Sequence, residues 1–117
     1  MNQPNKKILH VEDDPDFRTY VRLILDGIAD IDQAKTLQEA QELSKQNNYD
    51  VVLLDLTLPD GSGMTILDDF KRRRPEIPIV IFSSHSVTDN MAHVTKSFQK
   101  GYFSERNLVD AIMALTA

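Results

Sequence analysis

Four side chains that could do chemistry stand at the ends of apolar runs. Glu12 and Asp13 follow the run ILHV, Asp55 ends the run VVLLD, and Ser83 follows IPIVIF. Carboxylates gathered in one place raise each other's pKa unless a cation neutralises them. Mg²⁺ prefers oxygen ligands and is often bound together with substrate phosphates. The pattern therefore predicts a Mg²⁺ site that receives a phosphate-bearing substrate.

Acidic residues at strand ends also have a purely structural use, as caps of the next helix. Asp14 is followed by Pro15, which is typical of a helix N-cap, and we assign it that role. Asp55 is followed by Leu56 and is not needed as a cap. We therefore expect its carboxylate to be partly desolvated, and we place the chemistry in the cluster of acids together with Ser83.

The segments that carry these residues alternate between strand and helix patterns. Apolar runs predict strands at 6–11, 49–55 and 77–82, and a half-polar run predicts an edge strand at 29–34. Cap and turn residues predict four helices, which begin after Asp14, Thr36, Gly63 and Ser104. Single helices between strands favour right-handed crossovers and one doubly wound α/β domain with helices on both faces of a parallel sheet. Ligands of such a sheet bind outside the carboxyl ends of its strands, where the four side chains are expected to converge.

Three motifs resemble those of response-regulator receiver domains of the CheY-like type, which act in two-component signalling. ILHVEDDP is similar to their opening acidic motif, DLTLPDGSG to their phosphoacceptor motif, and IPIVIFSS to the strand that ends in their hydroxyl residue. The motifs occur in the family's order, and the resemblance covers residues 6–115. It implies a flavodoxin-like sheet of five parallel strands in the order 2-1-3-4-5, with residues 1–117 forming one receiver domain.

The resemblance also implies a role for each site residue. Asp55 would take a phosphoryl group from a histidine kinase or a histidine phosphotransfer protein. Ser83 would donate a hydrogen bond to that group, and a lysine would pair with another of its oxygens. Two residues at the mouth of the pocket, Thr57 and His85, would tune the lifetime of the phosphorylated state. The expected ligands of Mg²⁺, for which Mn²⁺ could substitute, are Glu12, Asp13, Asp55 and the main-chain carbonyl of Thr57.

The segment after Ser83 departs from the family pattern. Lys100 lies only 17 residues beyond Ser83, a shorter interval than is usual, and Gly101 follows it where the family has proline. We select Lys100 as the phosphoryl-binding lysine and keep Lys96 as its competitor. The short interval predicts that the helix between Ser83 and Lys100, the fourth in the family's order, is shortened or irregular. Ser97 occupies the position of the family's switch aromatic, whereas Phe98, Tyr102 and Phe103 are expected to belong to the core.

Composition limits the remaining functions. The net charge is −5, and the basic cluster at 71–74 suits the last turn of a helix that Pro75 ends, so a nucleic-acid partner is not expected. There is no cysteine and no apolar run of the roughly 18 residues that a membrane span needs. We expect a cytoplasmic domain whose output requires a downstream protein or an effector domain outside these residues.

Two other functions are compatible with parts of the pattern. The altered lysine region would suit a degenerate receiver that binds proteins without being phosphorylated. A phosphatase of the haloacid-dehalogenase type would need an acid two residues after the nucleophile, and position 57 is threonine. We therefore expect a signalling domain rather than an enzyme that turns over external substrates.

Overall fold

The chain forms a five-stranded parallel sheet, here described from a computed structural model that covers residues 6–84 and 94–116. Strand order is β2-β1-β3-β6-β7, and a separate two-stranded ribbon consists of β4 and β5. Without the ribbon, this is the order 2-1-3-4-5 that was predicted. The elements in chain order are β1 (Lys6–Val11), α1 (Pro15–Leu25), β2 (Ala29–Ala34), α2 (Leu37–Gln46), β3 (Val51–Asp55), β4 (Thr57–Leu58), β5 (Gly61–Ser62), α3 (Met64–Arg73), β6 (Ile79–Ser83), β7 (Lys96–Gln99) and α4 (Glu105–Leu115).

The two central strands are the apolar runs identified in the sequence. Every residue of β3 and of β6 is buried, because helices cover both faces of the sheet. Strand β2 is only partly buried and lies at one edge, as its half-polar sequence predicts. The predicted strands 49–55 and 77–82 each begin two residues too early. Tyr49 and Ile77 are buried, but they precede the first residues of β3 and β6.

Alternate residues of the strands supply two cores, one on each face. One face packs Leu9, Val52 and Ile81 against α2 and α3, and the other packs Ile8, Leu53 and Val80 against α1 and α4. This alternation follows from the period of two in a strand, which sends successive side chains to opposite faces. Burial of its apolar face therefore sets the position of each helix on the sheet.

Side-chain caps fix the starts of three helices where the sequence placed them. Asp14 Oδ1 accepts from the N–H of Asp16, Thr36 Oγ1 from that of Glu39, and Ser104 Oγ from that of Asn107. The predicted helix between Ser83 and Lys100 falls on a segment that includes 85–93, which lies outside the described residues. Within the part of the chain that the structure covers, no helix has the length and apolarity that crossing a membrane requires.

Ser97 pairs with Ile81 in β7, so the switch-aromatic position carries a small polar residue within the edge strand. Phe98 is buried and stacks on Phe82 with ring centroids 5.9 Å apart, and Phe103 packs against the same core. The prediction for Tyr102 was wrong, because its side chain is 81% exposed. Tyr102 lies in the turn after Lys100, where its N–H bonds to the carbonyl of Gln99.

Candidate phosphoryl and metal site

The acidic cluster lies at the carboxyl ends of β1 and β3. Val11 pairs with Leu54 in the parallel ladder, so Glu12 and Asp55 come next at neighbouring strand ends. Carboxylate oxygens of Glu12, Asp13 and Asp55 all lie within 4.8 Å of one another. The predicted convergence of these three carboxylates is therefore confirmed. A donor set made only of carboxylate oxygens suits a hard cation such as Mg²⁺.

The three acids differ in their exposure to solvent. Glu12 is completely buried and Asp55 is 5% exposed, whereas Asp13 is exposed. Burial raises the pKa of Glu12 to about 7, and the nearby Asp55 carboxylate acts in the same direction. The Lys100 ammonium and the N–H of Asp14, which donates to Glu12 Oε2 over 3.2 Å, limit that rise. A bound cation would therefore offset the cost of a buried negative charge most strongly at Glu12.

Lys100 reaches into the cluster from the turn after β7. Its Nζ lies 2.8 Å from Glu12 Oε1 and 3.5 Å from Asp55 Oδ2, in ion pairs. Burial would lower the pKa of Lys100, but these two carboxylates raise it above its usual value. The strand ends alone predict a cluster of acids without a basic partner, and Lys100 is the basic partner that this pattern does not reveal. The N–H of Lys100 bonds to the carbonyl of Ser83, at the end of the neighbouring strand β6.

Lys96 lies elsewhere. Its side chain is exposed, and its Nζ stands 5.6 Å from the centre of the Phe98 ring. It lines a groove of about 450 Å³ between β7 and α4, together with Asn107 and Asp110. Of the two candidate lysines, only Lys100 contacts the acidic cluster.

The structure describes two of the three remaining predicted site residues, Ser83 and Thr57. Ser83 is buried at the end of β6, beside the end of β3, where Asp55 pairs with Phe82. Thr57 is exposed in the ribbon, and its N–H donates to Asp55 Oδ1 over 3.2 Å. His85 lies outside the described residues.

Sequence reasoning missed several residues that hold the site in place. Arg18 donates from one guanidinium nitrogen to the main-chain carbonyls of Glu12 and Asp13, over 3.1 and 2.8 Å. The ring of Phe17 lies under Lys100, with its centroid 4.7 Å from Nζ. Asp60 bonds to the start of α2. No local sequence signal pairs an arginine with carbonyls five and six residues earlier.

A family model and curated relatives match the sequence of this chain. The family model described as "Response regulator receiver domain" matches residues 8–114. The chain is 30% identical over 93 residues to the response regulator protein PilR of Pseudomonas aeruginosa, which covers 79% of this chain and 21% of PilR. The chain spans between about a fifth and a half of the length of the curated relatives that it matches.

Solved structures agree on the fold. A CheY-like receiver domain protein from Methanospirillum hungatei superposes with a TM-score of 0.84 at 22% identity, covering 94% of this chain and 92% of that one. The response regulator TrrA of Thermotoga maritima, solved in complex with Mg²⁺ and BeF, gives 0.84 at 24% identity, with 94% and 98% covered.

Proposed function

The chain belongs to the response regulator receiver domain family, and we propose that it accepts a phosphoryl group on Asp55 in a reaction that requires Mg²⁺. The observation that carries the proposal is the position of Asp55. Its carboxylate ends a central strand and stands beside Glu12 and Asp13, which could hold a cation, and Lys100, which could neutralise an anion. Phosphoryl transfer depends mainly on positioning and charge neutralisation, and this arrangement supplies both.

In the proposed reaction, an oxygen of Asp55 attacks the phosphorus of a phosphohistidine. The new P–O bond forms as the P–N bond breaks, and the electron pair of that bond returns to the imidazole of the donor. Ser83 and Lys100 would contact oxygens of the transferred group. Glu12, Asp13, Asp55 and the carbonyl of Thr57 would hold the Mg²⁺, which, when bound, neutralises charge on the phosphoryl oxygens.

The proposed partners are a histidine kinase or a histidine phosphotransfer protein upstream and a protein or effector domain downstream. Several curated relatives are named as transcriptional regulators, and each is longer than the part that this chain matches. We propose that signalling follows a conformational change in the phosphorylated domain, in the cytoplasm, without direct contact between these residues and nucleic acid. Thr57 and His85 remain our candidates for tuning the lifetime of the phosphoryl group.

The alternative of a degenerate receiver rests on the short interval between Ser83 and Lys100. The ion pairs of Lys100 with Glu12 and Asp55 weigh against it, because the interval does not keep the lysine away from the cluster. The family's activity is phosphoryl acceptance rather than turnover, so one phosphoryl group per chain is the expected stoichiometry.

Titration with beryllofluoride, a phosphoryl mimic, would separate the two alternatives. In the presence of Mg²⁺, we expect saturable amide shifts around Asp55, Ser83 and Lys100 in a heteronuclear NMR spectrum. The Asp55→Asn variant should show none of these shifts. A wild-type chain that does not respond to Mg²⁺ and beryllofluoride together would support the degenerate receiver.

A further inference from the structure

Asp60 joins the loop after the proposed phosphoacceptor to a distant helix. Its two carboxylate oxygens accept from the first two N–H groups of α2, over 2.9 Å from Leu37 and 3.2 Å from Gln38. The bonds span 22 and 23 residues of sequence. These N–H groups have no partner within their own helix, and the positive end of the helix dipole favours a carboxylate there. They also hold the pKa of Asp60 below its usual value.

The helix does not need Asp60 as its own cap. Thr36, which directly precedes α2, already fills that role through its bond to the N–H of Glu39. Asp60 therefore adds a link between two elements.

The ribbon is seated closely against α2. Gly61 adopts a φ of +143°, and a Cβ at this position would lie 3.3 Å from Leu37 Cδ1. Leu58, on the opposite strand of the ribbon, is buried in the same core cluster as Leu37. Gly61 of the ribbon therefore lies beside Leu37, whose N–H bonds to Asp60.

The same ribbon reaches the proposed site at its other end. The N–H of Thr57, the first ribbon residue, donates to Asp55 Oδ1, and the N–H of Gly63 bonds to the carbonyl of Leu56 over 2.9 Å. We infer that Asp60 is a positioning residue, which fixes the ribbon on α2 and thereby orients the Asp55 carboxylate and the carbonyl of Thr57. The inference rests on the proposed function for its consequence in metal binding, whereas the mechanical link to the ribbon can be tested without it.

Amide hydrogen exchange in the metal-free full chain tests the mechanical link. In Asp60→Ala, we expect the amides of Leu37, Gln38, Thr57 and Gly63 to exchange at least tenfold faster than in the wild type. Thr36→Ala is the matched control, because it removes a bond to the same helix end without touching the ribbon. It should accelerate exchange at Glu39 and leave Thr57 and Gly63 within twofold of the wild type.

Binding of Mn²⁺, followed by water-proton relaxation, tests the consequence for the site. We expect Asp60→Ala to raise the Kd for Mn²⁺ at least threefold, and Thr36→Ala to leave it within 1.5-fold of the wild-type value. Unchanged exchange at Thr57 and Gly63 in Asp60→Ala, or equal acceleration in Thr36→Ala, would overturn the inference. So would a ribbon that loosens without any change in Mn²⁺ affinity. If Asp55 proved not to be phosphorylated, the exchange result would still stand, so the two failures can be told apart.

Discussion

Glu12 is the acid of the site with the least exposure to solvent: it is completely buried, and its carboxylate forms an ion pair with the Lys100 ammonium. Its pKa rises from the ordinary 4.5 to about 7. Between these two values the folded state keeps a proton that the unfolded chain has lost. The contribution of Glu12 to stability therefore falls as the pH rises through this window, and it stays at its low value above it.

We predict that Glu12→Gln stabilises the metal-free protein at pH 8 by about 1 to 3 kcal/mol, since a shift from 4.5 to about 7 corresponds to at most about 3 kcal/mol. Urea unfolding in the presence of a chelator would measure it. Asp13→Asn is the control, because Asp13 is exposed, and its effect should stay below about 0.5 kcal/mol. A Glu12→Gln variant that is less stable than the wild type at pH 8 would contradict this account of the buried carboxylate.

The two candidate lysines offer a second matched pair. Lys100→Ala should slow phosphorylation by acetyl phosphate by at least about tenfold, since it would remove the charged hydrogen-bond donor that we propose for the transferred phosphoryl group. Lys96→Ala removes an exposed lysine from the same strand-and-turn segment and should leave the rate within about twofold of the wild-type value. Rates followed by intact mass would decide between them. Equal slowing in both variants would refute the assignment to Lys100.

At the scale of elements, the connection from β3 to α3 places the site. Gly63 is the N-cap residue that directly precedes α3, and a Cβ at this position would lie 2.3 Å from the main-chain oxygen of Asp55. Its backbone has a φ of −56°, which any residue can adopt, so it is the contact that requires glycine here. The chain returns to the end of its own strand at a distance that excludes a side chain.

Gly63→Ala should therefore lower the free energy of unfolding by about 1 to 3 kcal/mol and displace the main chain of Asp55. We expect phosphorylation by acetyl phosphate to slow at least tenfold. Gly27→Ala is the control: Gly27 has a φ of +78° with open space around it, so alanine there costs about 1 to 2 kcal/mol of stability. The control should be phosphorylated at the wild-type rate, and a similar loss of rate in both variants would rule out a local effect of Gly63.

The sequence predicts some elements well because they carry strong local signals. Strands covered on both faces, such as β3 and β6, are unbroken apolar runs, and the capped helices begin at Asp14, Thr36 and Ser104 as predicted. The ribbon of β4 and β5 and the edge strand β7 (KSFQ) are too short and too polar for periodicity to detect. The site acids could be placed because they end the apolar runs. The contacts of Lys100, Arg18 and Asp60 depend on tertiary structure and are invisible in local sequence.

At the scale of the whole molecule, the core contains a buried ionisable side chain, His10 of the interior strand β1. His10 is completely buried, its ring packs edge-on against Phe17 and Phe82, and Nδ1 lies 3.1 Å from Gln33 Nε2. Burial lowers the pKa of His10 from 6.5 to about 3, and the charges of Lys100 and Arg18 act in the same direction. Below pH 6.5 the unfolded chain binds a proton here that the folded protein does not, so this contribution to stability is lost as the pH falls.

We predict that His10→Val makes the protein more resistant to acid. Between pH 7.5 and 5, the difference in the free energy of unfolding should shift by about 2 kcal/mol in favour of the variant, at about 1.4 kcal/mol per pH unit below 6.5. Urea unfolding of both proteins across this range measures the shift. The other titrating groups are the same in both proteins, so their contributions cancel in the difference. A difference that does not change with pH would mean that His10 can be protonated within the fold.

Intact mass after incubation with acetyl phosphate and Mg²⁺ tests the central claim most directly. The account predicts that the wild-type chain gains one phosphoryl group, that a chelator prevents the gain, and that Asp55→Asn gains none. Asp14→Asn, which changes the neighbouring helix cap, should still be phosphorylated. A folded Asp55→Asn variant that gains a phosphoryl group, or a folded wild-type chain that gains none with Mg²⁺ present, would contradict the assignment of Asp55 as the phosphoacceptor.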